Sequence, residues 1–405
     1  MIDGEEVKQR PASAGPETVK KNRTVQFSTV VFLLLLVAVG SFVAGTRSQS
    51  IMYLLSPSQA IDFSSLNELY STLKAKYDGE IDPNALLDGA RHGLVDAVGD
   101  PYTVFLNTDE AKEFDSDLSG RFEGIGAELS KVSGVLTVTA VIGDSPAQQA
   151  GLKIDDHITK INGEETASLT VGQAVQKIRG PKGTSVKLTI ARGETSKDYS
   201  IVRSTIATDS VKWEVLDEQV GYIRITRFGD DTTRLTRKAA EEFKAQGIDR
   251  VLLDLRGNGG GLLTAAQEVA GIWLKDKVVV TERSGGRVTN TLHSGNNPIL
   301  NGVKTIVLVD EASASASEIV AGALKDHAAA TLMGQKTYGK GSVQVVLDLG
   351  DGSKLKVTVA RWYTPNGKNI HGEGIMPDTA VEQTEAATEL GQDLQKETAL
   401  RELRL

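Results

Sequence analysis

Arg250-Val-Leu-Leu-Asp-Leu-Arg-Gly-Asn-Gly-Gly-Gly-Leu-Leu263 is the stretch on which the reading of this chain turns. It begins as an apolar run interrupted only by Asp254, the pattern of a strand buried on both faces. The glycines then allow a sharp turn, and apolar spacing over 263–274 predicts a helix. Working outward, strands are predicted at 220–225, 278–282 and 305–310, and helices at 233–246 and 317–326. Strands alternating with helices predict a layered α/β core over 205–382. Residues 286–301 read as a polar excursion, and 383–405 as an acidic helical tail.

The residues before this core follow other periods. Val135-Leu-Thr-Val-Thr-Ala-Val-Ile142, the run 157–161 and the alternation 185–190 read as strands. Ser145-Pro-Ala147 opens a short helix closed by Gly151, and Thr170 caps a helix over 171–178. Residues 113–204 are therefore a mostly β domain. Ahead of it, 57–112 reads as a helical arm, with Leu66, Leu69, Tyr70 and Leu73 on one helix face and Pro83 opening a second helix.

Residues 25–45 are almost wholly apolar, and a bilayer-crossing helix needs about 20 such residues. Lys8, Arg10, Lys20, Lys21 and Arg23 precede the run, and only Arg47 follows closely. The positive-inside rule then keeps residues 1–24 as a cytoplasmic tail and places the rest outside a single-pass anchor. The rival is a signal peptide cleaved near Val43-Ala44-Gly45; the long polar leader favours the anchor.

The 405 residues have room for two or three domains, and the formal charge of −8 argues against nucleic acid as a partner. There is no cysteine, which excludes disulfides, a thiol nucleophile and cysteine-bound zinc. The histidines lack ligand spacing and no H-E-x-x-H occurs, so no metal or other cofactor is expected.

Two segments carry chemistry. In Ser313-Ala-Ser315-Ala-Ser317-Glu318 a strand turns into a helix, and Ser315 with Glu318 forms a capping-box pattern. A helix N-terminus also favours a developing oxyanion, so cap and nucleophile can be one residue. In Thr337-Tyr338-Gly339-Lys340-Gly341-Ser342-Val343-Gln344 a lysine sits among glycines. An uncharged lysine amine can take the proton of a serine hydroxyl, and Gln344 could orient that amine. The 257–261 loop exposes backbone N–H groups suited to an oxyanion hole. G-x-S-x-G, S-D-N and K-T-G are absent, and the S-x-x-K matches at Ser71 and Ser353 fall on a surface helix and a strand.

Taken in order, Gly99-Asp-Pro-Tyr-Thr103, Gly124-Ile-Gly-Ala127, Ser145-Pro-Ala147, Asp254-Leu-Arg256, Ser313-Ala-Ser-Ala-Ser-Glu318 and Tyr338-Gly-Lys-Gly341 resemble the bacterial carboxyl-terminal processing proteases. The likeness runs from about residue 57 to 380. It implies a PDZ domain inserted before a crotonase-like α/β serine protease core. It further implies Ser315 as nucleophile, Lys340 as base, Gln344 as its orienter, and an oxyanion hole from Ala316 and a glycine of the loop, Gly261 or Gly260. Gly124, Ile125, Gly126 and Ala127 would hold a substrate's C-terminal carboxylate, with Arg179 as a candidate relay. Asp155-Asp156 departs from the usual Gly-Asp of the PDZ turn. The partners implied are protein substrates bound by their C-termini and the membrane; a homo-oligomer is left open. The competing class is a PDZ-bearing scaffold whose protease core is inactive.

Overall fold

A computed structural model describes residues 62–405, so the apolar run 25–45 and its polar leader lie outside the described residues. The chain divides at Asp82/Pro83 into two units, and the expected helical arm is split between them. In the first unit, α1 (Ser64–Lys76) buries none of its residues.

The second unit opens with α2 (Pro83–Asp96), followed by β1 (Val104–Leu106) and α3 (Thr108–Ser119). Asn107 caps α3 through a reciprocal box with Glu110, and Gly120 ends it in the left-handed conformation. A two-stranded stalk, β2 (Arg121–Gly124) against a later strand, then leads into the inserted β domain.

That domain comprises β3 (Ala127–Val132), β4 (Val135–Val141), α4 (Pro146–Ala150), β5 (His157–Ile161), β6 (Glu164–Glu165), α5 (Val171–Ile178), β7 (Ser185–Arg192) and β8 (Thr195–Val202). Its sheet runs β3-β4-β5-β7-β8. It closes over its own core, including Ile125, Val138, Ile158, Leu188 and Ile178. Asp155 adopts φ 68°, the region where the related turn usually has glycine. Its neighbour Asp156 is buried and takes a two-pronged ion pair from Arg192, which holds the turn in place. The chain leaves through β9 (Ser204–Ala207), the partner of β2 in the stalk.

The core follows as β10 (Val211–Leu216), β11 (Val220–Ile225), α6 (Thr232–Ala245), β12 (Arg250–Asp254), α7 (Leu263–Ala270), β13 (Val278–Ser284), β14 (Arg287–His293), β15 (Lys304–Val309) and α8 (Ala316–Asp326). After it come β16 (Thr331–Gly334), β17 (Ser342–Asp348), β18 (Lys354–Tyr363), β19 (Thr379–Ala380), α9 (Glu385–Glu389) and α10 (Leu394–Arg404). The central sheet is ordered β10-β11-β12-β15-β16-β19, parallel from β11 onward. One face packs on α6, α7 and α8 through Phe243, Val269 and Val320. The other face, with Tyr222, Leu252 and Ile306, is covered by Ala399 and Leu403 of α10. The acidic tail is thus a structural layer of the core.

A second, antiparallel sheet joins β1, β18, β13 and β14, with β17 on β18. Residues 287–293, expected as part of a polar excursion, form β14 here: their side chains are mostly exposed, so no hydrophobic alternation announces the strand.

Candidate active site

Strands β12 and β15 are parallel neighbours, and the loops that leave their carboxyl ends build the site, the usual place for one on such a sheet. The loop after β15 ends at Ser315, at the head of α8, with φ 55° and ψ −113°. A non-glycine residue there stores roughly 1–3 kcal/mol of strain and persists only where its surroundings dictate it. They do so here. Asn258 O accepts from Ala314 N at 3.0 Å and from Ser317 Oγ at 2.8 Å, while Ser313 Oγ donates to Leu255 O at 2.9 Å. Ser313 and Ser317 are fully buried, whereas Ser315 is partly exposed.

Glu318, one turn into α8 and wholly buried, organises both halves of the site. Its carboxylate accepts from Ser315 N at 2.8 Å, Gly339 N at 2.7 Å and Lys340 N at 2.9 Å, and from the Thr337 hydroxyl. The capping pattern was visible in the sequence; its reach to the lysine segment was not.

The structure brings Ser315, Ala316, Gly261, Lys340 and Gln344 to one cavity of about 310 Å³. Leu262, Ile319, Val343 and Trp362 make it largely apolar, and Phe114 and Leu118 of α3 close one side. Burial, reinforced by the charge of Lys356, lowers the Lys340 amine from its ordinary value to about 8, against the pull of Glu318 and Asp100. The amine lies 5.1 Å from the centroid of the Tyr102 ring. Among the described residues it has no hydrogen bond to Ser315 or Gln344. Gln344 Nε2 instead donates to Ser342 Oγ at 2.8 Å and Thr358 Oγ1 at 3.3 Å, and its side-chain oxygen accepts no hydrogen bond among the described residues.

The glycine loop discriminates between its candidates. Gly260 N donates to Asn258 Oδ1 at 2.9 Å, so of the two expected glycines Gly260 has its donor already in use. The amides of Ala316 and Gly261 donate to no acceptor among the described residues. Gly260 brings the loop against Ser315: a Cβ there would stand 2.8 Å from Ser315 Cβ. At Gly261 a Cβ would stand 2.1 Å from Phe228 O, so both positions exclude any side chain.

Comparison with known proteins shows the family to which this fold belongs. Residues 219–381 match Peptidase family S41, 137–192 match the PDZ domain, and 46–110 match the Activating protease CtpB N-terminal domain. A "Probable CtpA-like serine protease" of Staphylococcus haemolyticus (strain JCSC1435) is 36% identical over 368 residues, 89% of this chain and 74% of that one. The chain belongs to peptidase family S41. The carboxy-terminal processing protease CtpA of Bacillus subtilis (strain 168) is 37% identical over 324 residues, covering 79% of this chain and 69% of that protein. An S41 protease structure from Bacteroides fragilis NCTC 9343 shares the fold, with a TM-score of 0.53 and 20% identity over 80% of this chain and 91% of that chain. The protein is accordingly a serine-type peptidase of the carboxy-terminal processing kind.

Two further features of this S41 peptidase bear on its site. Arg256 pairs with Asp254 at 2.7 Å and with Asp393 at 2.7 Å, tying the strand end before the glycine loop to the C-terminal layer. In the PDZ domain, the carbonyls of Ile125 and Gly126 accept from Ala147 N and Ile142 N. That pins the turn by the oxygens of Ile125 and Gly126, whose own amides donate to no acceptor among the described residues. Sequence reasoning missed α3, Tyr102 and Lys356; the Asn107/Glu110 box was the available signal for α3, and Lys356 was seen only as part of a failed S-x-x-K match.

Proposed function

We propose that this peptidase cleaves near protein C-termini with Ser315 as nucleophile and Lys340 as general base. The observation that carries the reading is the placement of a half-buried lysine amine, weakened as a base to about 8, in the same apolar cavity as a strained serine at a helix N-terminus. Ser315 Oγ attacks the scissile carbonyl and its proton passes to Lys340 Nζ. The Ala316 and Gly261 amides hold the resulting oxyanion. Lys340 then returns the proton to the leaving amine, and water, deprotonated by the same lysine, releases the acyl group. The core is read as crotonase-like, and the Gln344 carbonyl orients the neutral amine.

In this reading, substrate entry brings the amine from beside Tyr102 to Ser315, which lines the same cavity. The PDZ amides of Gly124–Ala127 receive the chain end, each charge-assisted bond contributing roughly 1.5–3 kcal/mol. Arg179, at the end of α5, reaches Glu113 of α3 at 3.6 Å and lies 5.1 Å from the centroid of the Phe122 ring. That path leads from the groove to the helix that closes the cavity. Free-acid peptides should bind the Ser315→Ala protein more tightly than amidated ones and be cleaved faster by the active enzyme. Equal affinities would remove the PDZ domain as the reader of C-termini.

The apolar run 25–45 with its basic leader supports an anchor in the cell membrane and an extracytoplasmic protease. Protease added to spheroplasts should digest residues 62–405 while a tag placed before Lys8 stays protected; the reverse pattern would refute this orientation.

A further inference from the structure

Gly99-Asp-Pro-Tyr-Thr103 is one of the motifs that carry the family resemblance, yet the reaction described above gives none of its residues a role. Asp-Pro favours a turn: proline fixes the first central residue, and the aspartate side chain can accept from the backbone two residues on. That turn forms here, with Thr103 N donating to Asp100 O at 3.1 Å and Tyr102 N to Asp100 Oδ1 at 3.2 Å. Thr103 is buried, and its hydroxyl donates to Asp100 Oδ2 at 2.6 Å. Burial alone would raise the Asp100 carboxyl, but hydrogen bonds from the Thr103 and Thr358 side chains and the Tyr102 amide hold it below the usual carboxylate range. Asp100 is thus a charged and fixed acceptor for the Thr103 hydroxyl.

The Thr103 oxygen in turn accepts from Thr358 N of β18 at 3.1 Å. β17 occupies one edge of β18 along Lys354–Arg361, and the other edge is shared by β1 at 354–356 and β13 at 361–363. Among the described residues no strand reaches Thr358 from that second edge, and the Thr103 hydroxyl stands where a strand carbonyl would. The β17–β18 register skips Val359 between the pairs Val343–Ala360 and Gln344–Thr358. Such a bulge bends its strand and re-aims the side chains beside it. Gln344 is one of these, and its Nε2 donates to Thr358 Oγ1 and Ser342 Oγ. Both of its amide hydrogens are committed, so the direction of its oxygen follows from where Thr358 and Ser342 stand.

We propose that Thr103 is a positioning residue for the peptidase reaction: through Thr358 it fixes the Gln344 side chain in the cavity that Gln344 shares with Ser315 and Lys340. This rests on the reading of Gln344 as the group that orients the Lys340 amine, and adds to it what orients Gln344. A displacement of about 1 Å at a reacting group can cost about 100-fold in rate.

The test is a double-mutant cycle on kcat and KM, with fluorescently labelled casein cleaved by the full chain. Thr103→Val keeps the shape of the side chain but removes the acceptor of Thr358 N; kcat should fall about tenfold or more with KM nearly unchanged. Thr103→Ser retains the hydroxyl and should retain the rate. Gln344→Ala should lower kcat at least as far as Thr103→Val does. Adding Thr103→Val to Gln344→Ala should then cost nothing further, since the side chain it positions is gone. A general structural role would instead multiply the two losses. Should Thr103→Val fail to fold, Thr358→Val removes the acceptor of Gln344 directly and should show the same loss, equally absorbed by Gln344→Ala. Multiplied losses, an unchanged kcat in Thr103→Val, or a serine protein as slow as the valine one overturns the proposal. Failure of the underlying reading is recognised separately: Gln344→Ala would then itself cleave at the normal rate, which removes the glutamine's role and this proposal with it.

Discussion

Replacing Ser315 with alanine should abolish cleavage, a loss of about 10⁴-fold or more, while the protein stays folded. The substitution removes the hydroxyl of a cavity-lining residue and leaves in place the hydrogen bond from its own amide to the Glu318 carboxylate. The left-handed backbone at position 315 strains alanine about as much as serine, so the head of α8 keeps its conformation. Ser313→Ala and Ser317→Ala should behave in the opposite way. Each removes a buried donor, to Leu255 O and Asn258 O respectively, at roughly 1–3 kcal/mol of stability, yet cleavage persists. Mass spectrometry of the product ends, alongside thermal unfolding of each variant, reads both effects. Normal cleavage by Ser315→Ala with none by Ser313→Ala would move the nucleophile.

Lys340→Arg should be as inactive as the serine variant. A guanidinium stays protonated across the working range, and its planar fork does not fit where a single amine must meet a serine hydroxyl. Folding lowers the Lys340 amine, so the active form is the deprotonated one and the rate grows with rising pH. With a value of about 8, about a tenth of the molecules hold the neutral base at pH 7 and half at pH 8. An arginine variant that cleaves at the normal rate would rule out the lysine as base.

The parts of this structure that sequence reveals are those with local causes. The helix Val171–Ile178 is legible because Thr170 and Gln173 close a reciprocal cap at its start. The strand Arg250–Asp254 is legible because both of its faces are buried and its apolar run is nearly continuous. The helix Thr108–Ser119 was overlooked because it is largely acidic and buries only Ala111, leaving little periodicity to detect. Strand Arg287–His293 was lost for the same reason.

For the site, sequence alone singled out the candidate reacting groups. A serine in a capping motif and a lysine between glycines are local patterns, and their order along the chain carried the family resemblance. What depends on distant residues was decided by the tertiary structure. It commits the Gly260 amide to Asn258 and turns the Gln344 amide group toward Ser342 and Thr358. It makes the Glu318 carboxylate hold the lysine segment as well as its own helix. The proton affinity of Lys340 is the clearest case. It follows from burial by α3 and β17 and from the charge of Lys356 in β18, and a side chain's solvation and neighbours exist only once the sheet has assembled.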